Sequence, residues 1–166
     1  MRILLKLMSL TAALTIASLI SSQSTKSAKK PSFSIAINAP EDVVKADSGV
    51  PLDVILTNTS DKDISSGEIL GGAALNYDID VRGSKGELAP ETSFGAKLHH
   101  KEPGFSLGGS VVAYYLKPGQ THETRSYLTR VYDVSQPGKY TIQVQRRDPD
   151  SNTIVKSNTI TITVAP

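Results

Sequence analysis

A two-residue rhythm constrains this chain more than any other feature. Leu75, Tyr77, Ile79 and Val81 alternate with Asn76, Asp78, Asp80 and Arg82, so every odd position is apolar and every even one polar. Successive side chains of an extended chain point to opposite faces, so such a run lays one face on a core and the other in water. The rhythm recurs over residues 33–39, 52–57, 140–145 and 159–164. Residues 110–116 and 121–130 read as two less regular strands. Turn chemistry separates the runs: Asn58-Thr59-Ser60-Asp61, Lys117-Pro118-Gly119-Gln120, a corner over 133–138, and Asp148-Pro149-Asp150-Ser151-Asn152. No stretch carries a sustained 3.6-residue period with caps, so no helix is expected.

Seven or eight short strands with frequent turns predict an all-β chain, an immunoglobulin-like antiparallel β-sandwich. The strands begin late. Arg2 and Lys6 precede the apolar run LMSLTAALTIASLI and a small polar stretch, the order of a secretory signal peptide. The expected organisation is therefore a signal peptide over 1–24, a flexible leader over 25–32 and one sandwich domain over 33–166. The expected location is secreted or periplasmic, with no membrane attachment after cleavage. Removing the signal takes Arg2 and Lys6 from the 18 Lys and Arg residues, leaving 16 against 16 acids. A neutral chain offers no electrostatic attraction to nucleic acid or to an anionic membrane. The absence of cysteine excludes a thiol nucleophile and a thiolate metal site, and the absence of tryptophan excludes the Cys–Trp–Cys core of antibody domains.

Val134, Pro137, Gly138 and Tyr140 form V-x-x-P-G-x-Y ahead of a strand. That spacing suits a tyrosine corner, in which the Tyr140 hydroxyl bonds to backbone a few residues upstream; the alternative is Tyr140 as ordinary core. With L-T-N-T-S-D-K, N-Y-D-I-D-V-R-G-S-K-G, L-K-P-G-Q and P-G-K-Y-T-I-Q-V in order over residues 50–147, the chain resembles the bacterial Ig-like sandwiches of uncharacterised secreted proteins. The motif order is also similar to the bacterial intracellular proteinase inhibitor family. The resemblance implies a sandwich fold; no inhibitory residue carries across.

No chemical constellation stands out. His99 and His100 are adjacent and point to opposite sides of an extended chain, so they do not converge as metal ligands. Asp148, Asp150 and Asn152 have the opening spacing of a calcium loop but lack its glycine and distant glutamate, and read as a hairpin turn. Asp78 and Asp80 share a strand face at about 7 Å, the spacing of some glycosidase pairs, but exposed acids are the ordinary polar face of such a strand. No catalytic residue, cofactor or metal is expected. The best candidate for function is the segment 83–110, too long for an ordinary connection, in which Glu87–Ala89 suits a short edge strand. Its candidate binding residues are Phe94, Lys97, His99, His100, Lys101 and Phe105. The expected function is a non-catalytic binding module for an unidentified protein or cell-envelope component, with proteinase inhibition as the alternative.

Overall fold

A computed structural model describes residues 29–46, 48–100 and 109–166. The expected signal peptide, the first half of the leader, Lys101 and Phe105 lie outside the described residues. The rest is all-β: β1 (Phe33–Asn38), β2 (Val43–Lys45), β3 (Pro51–Asn58), β4 (Ile64–Ile69), β5 (Asp78–Arg82), β6 (Val111–Leu116), β7 (Thr121–Tyr127), β8 (Gly138–Arg147) and β9 (Ile154–Ala165). One short helix, α1 (Ser93–His100), lies between β5 and β6. The strands form a three-stranded sheet in the order β1-β3-β7, a four-stranded sheet β2-β9-β8-β5, and a ribbon β4-β6. All pairings are antiparallel except the short one between β2 and β9.

Alternation sets the inward faces. Phe33, Ile35 and Ile37 of β1 are buried while Ser34, Ala36 and Asn38 are exposed. Ile79 and Val81 of β5, Tyr140, Ile142 and Val144 of β8, and Ile162 and Val164 of β9 join the same core as Leu52, Val54 and Leu56 of β3. Leu52, Val54, Leu56, Ile142, Val144 and Ile162 are fully buried, and burial of each such side chain contributes about 1.5–3 kcal/mol. Asn58 ends β3 with its side chain: Nδ2 donates to the Lys62 and Leu116 carbonyls, while Oδ1 accepts from the Ser60 amide and hydroxyl. The turn-forming Asn of the sequence thus also ties the main sheet to the end of β6.

Four features depart from the sequence expectations. The run starting at Leu75 is extended only from Asp78; residues 73–75 make a 3-10 turn. Asn76 explains the break, because its side chain accepts from the Ile69 amide and donates to the Ile69 carbonyl, imitating a strand partner at the end of β4. β2 and β4 were not expected. The first is too short to show a period, and the second, ISSGEI, does not alternate in polarity. Phe94, Lys97, His99 and His100 stand on a helix rather than a loop. Ser32, within the expected flexible leader, is buried and gives its amide and hydroxyl to the Asp148 carboxylate.

The Tyr140 hydroxyl donates to the Gln136 carbonyl at 2.9 Å, four residues upstream. Replacing Tyr140 with Phe is expected to remove that bond and cost about 1–2 kcal/mol of stability, read as a lowered denaturation midpoint with an unchanged slope. An unchanged midpoint would mean that the ring alone matters.

Candidate functional site

The segment after β5 builds the candidate site. A tight turn, with Gly86 at φ 82°, sends the chain back so that Leu88 bridges Arg82 and the Ala89 amide bonds to Val81. Glu91 then bridges Tyr132, and α1 begins. Thr92 holds both ends of this junction. Its Oγ1 accepts from the Gly95 amide at 3.0 Å, as an N-cap does, and donates to the Arg130 carbonyl at 2.7 Å. Its amide donates to the Val131 carbonyl. Gly95 is buried at the contact, where an added Cβ would stand 2.1 Å from the Val131 carbonyl oxygen. Only a residue without a side chain lets the helix approach this closely.

Side chains complete the docking. The Arg130 guanidinium lies over the Phe94 ring at 4.5 Å, a cation–π contact, and Nη1 donates to the Gly71 carbonyl. The Glu91 carboxylate reaches His99 Nδ1 at 2.5 Å and His100 Nε2 at 3.1 Å. The bond to His99 is the largest influence on Glu91 and holds its pKa below the ordinary carboxylate value, against a smaller opposing effect of burial. Lys97, His99 and His100 stand in the last turn, where positive charge suits the helix dipole. The structure therefore brings Phe94, His99 and His100 into fixed contacts and leaves Lys97 exposed.

Docking α1 beside β5 and the end of β8 opens a cleft of about 500 Å³. Tyr77, Asp78, Leu98, His99, Arg146 and Arg147 are among its lining residues. Of these, sequence reasoning singled out His99 for binding. Arg146 and Arg147 follow the alternating part of β8 and carried no distinguishing pattern.

A second cluster joins the ribbon to the main sheet. His122 Nε2 lies 2.5 Å from Glu68 Oε2, Thr124 donates to Glu68 Oε1 at 3.0 Å, and the Tyr114 ring stacks on His122 at 3.9 Å. This cluster was missed. Its one sequence signal is that the inward side of β7, His122, Thr124 and Ser126, is polar where a core strand would be apolar. With both carboxylate oxygens occupied, Glu68 works here as a clasp between two sheets.

Two further carboxylates are paired with arginines. Asp80 accepts from Arg82 Nε and Nη2. Asp53, buried on β3, takes a bidentate bond from its cross-strand neighbour Arg125 at 2.5 and 2.8 Å, which lowers its pKa against burial. Among the described residues no three His, Asp or Glu side chains converge on a common point, and no helix is long and apolar enough to cross a membrane.

No protein-family model matches the chain, and no curated protein matches it. The solved structures that are similar in part include two of low score. The β-glucosidase EmGH1 of Erythrobacter marinus gives a TM-score of 0.42 at 14% identity, over 81% of this chain and 16% of that one. The alkylpurine DNA glycosylase AlkC of Pseudomonas fluorescens, solved on DNA containing an abasic site analog, gives 0.43 at 14% identity, over 82% and 31%. The chain spans less than a third of either neighbour's length. At these scores neither likeness bears on activity.

Proposed function

We propose that this chain is an exported immunoglobulin-like β-sandwich that acts as a non-catalytic binding module, with the cleft beside α1 as its contact surface. The sandwich reading is supported by one core shared between the β1-β3-β7 and β2-β9-β8-β5 sheets and by the Tyr140 bond to Gln136 at the corner. The observation that carries the binding reading is α1 itself. A helix of eight residues has little stability of its own. This one is fixed by a cap, a buried glycine contact and a cation–π pair, all spent on positioning one wall of a cleft. Ordered segments set on a rigid β scaffold are where binding residues concentrate.

The test uses the chain from residue 25 onward as bait in cell-envelope extract. A partner is expected with the unaltered domain and is expected to be lost with Leu98→Arg, which alters the cleft wall. Lys45→Ala, at the exposed β2 edge, is expected to retain it. Equal recovery by both variants, or no specific partner at all, would reject the reading.

A further inference from the structure

Two buried side-chain atoms lack a hydrogen-bond partner among the described residues: Asp80 Oδ1, which lies 3.0 Å from Arg82 Nε, and Nη1 of Arg146. Arg146 Nη2 donates to the Gly67 carbonyl at 3.2 Å, and its guanidinium carbon lies 5.3 Å from the centre of the Tyr77 ring. Its Nη1 is buried and has no hydrogen-bond partner among the described residues. A buried donor left unmade costs about 1–3 kcal/mol, more when charged, so native folds rarely keep one without a use.

The surroundings specify what would satisfy it. Arg146 and Tyr77 both line the cleft beside α1. Burial, with Tyr114 adding to it, pushes the Tyr77 hydroxyl up to about 12, while Arg146 pulls the other way. The phenol is therefore neutral and able to donate across the physiological range. The Arg146 guanidinium lies beside the Tyr77 ring and acts on its hydroxyl by charge and by hydrogen bonding, while its Nη1 keeps no hydrogen-bond partner among the described residues. Among the lining residues Arg146 and Arg147 are cations and Asp78 is the single acid, an excess of one positive charge. Leu75 and Leu98 give the cleft an apolar wall. The nearby Asn76 side chain is not available, because Ile69 and Gly72 occupy it.

We propose that this cleft binds a singly charged carboxylate, held by Arg146 Nη1 and the Tyr77 hydroxyl, with its carbon chain against Leu75 and Leu98. A planar guanidinium beside a neutral hydroxyl matches the paired acceptor oxygens of a carboxylate. One net positive charge suits a carboxylate better than a doubly charged phosphate. This inference rests on the binding reading above and names its ligand class.

The experiment follows backbone amide shifts while N-acetylleucine, N-acetylleucinamide, inorganic phosphate or a hexapeptide ending in leucine is added to the chain from residue 25 onward. Saturable shifts are expected for the acid at residues 75–78, 98–99 and 145–147, with binding at least tenfold weaker for the amide and for phosphate. Arg146→Gln is expected to abolish them with strand dispersion intact, and Tyr77→Phe to weaken binding several-fold. A hexapeptide that binds more tightly than N-acetylleucine identifies a peptide C-terminus as the source, and equal affinity identifies a small free acid. Either result supports the proposal. Equal binding of acid and amide, tighter binding of phosphate, no saturable shift, or full binding by Tyr77→Phe would overturn it. Should Arg146→Gln fail to fold, the amide control and Tyr77→Phe decide alone. Failure here with a partner still captured through the α1 surface would remove the carboxylate and leave the binding module standing.

Discussion

Gly95→Ala is expected to destabilise the protein, although alanine is the better helix former. On an isolated or freely exposed helix the change would stabilise by about 1 kcal/mol. Here the new Cβ would meet the Val131 carbonyl oxygen at 2.1 Å, with the Val131 carbonyl carbon at 3.0 Å behind it. Both are backbone atoms, so no rotamer change relieves the contact. The helix must move away, straining the Thr92 cap and the Arg130–Phe94 contact together. Overpacking of this kind costs about 1–3 kcal/mol, and the upper end is expected because the obstacle is main chain. The sign of the stability change, read from chemical denaturation, separates a docked helix from a free one. If α1 walls the binding cleft, the same variant is also expected to lose the partner.

Asp148→Ala is expected to be the most damaging single change outside the apolar core, at about 3–4 kcal/mol. Asp148 is fully buried at the β8–β9 turn. Its carboxylate accepts from the Ser32 amide and hydroxyl at 2.9 Å each, the Asp150 amide at 3.0 Å and the Ser151 hydroxyl at 2.6 Å. Alanine would leave these donors short and release the segment entering β1. Asp148→Asn keeps the size and one acceptor, so a smaller loss is expected. A loss below about 1 kcal/mol for the alanine variant would show that solvent replaces these bonds.

The same residue sets an acid limit. Desolvation is the largest single influence on Asp148 and pushes its pKa up. The bonds from Ser151, Ser32 and Asp150 together outweigh it and hold the carboxyl below its ordinary 3.8. A group with a depressed folded-state pKa contributes its full stability above the unfolded value, and the contribution disappears as pH falls through the folded value. Stability of the unaltered chain is thus expected to fall as pH drops below about 4, and part of that slope is expected to vanish in Asp148→Asn.

The all-β character was legible because burial follows alternation. In β1, β8 and the end of β9 the pattern read from sequence is the pattern of buried and exposed side chains. Where a side chain substitutes for backbone, that logic fails. Leu75 sits in phase with Ile79 and Val81, but Asn76 clasps Ile69 and turns the chain. α1 was invisible for a related reason. Eight residues containing a glycine and two adjacent histidines show no periodicity, and the helix is held by Thr92 and by Val131, thirty-six residues downstream of Gly95. The candidate site was legible only as a region. Phe94, Lys97, His99 and His100 share the helix, but Glu91 occupies both histidines. The cleft's guanidinium groups come from Arg146 and Arg147, at the far end of β8. No local sequence pattern brings those positions together, because the topology does it by placing β8 beside β5.

The central claim is that residues 93–100 form a helix seated on Val131 and so build the cleft. Proton–proton contacts in the solution spectrum test it directly. Cross-peaks between the Gly95 α-protons and Val131 are expected, together with slow solvent exchange of the Ala96 amide, which bonds to the Thr92 carbonyl at 2.9 Å. Random-coil shifts over 93–100, with no contact to Val131, would contradict the claim and remove the cleft with it.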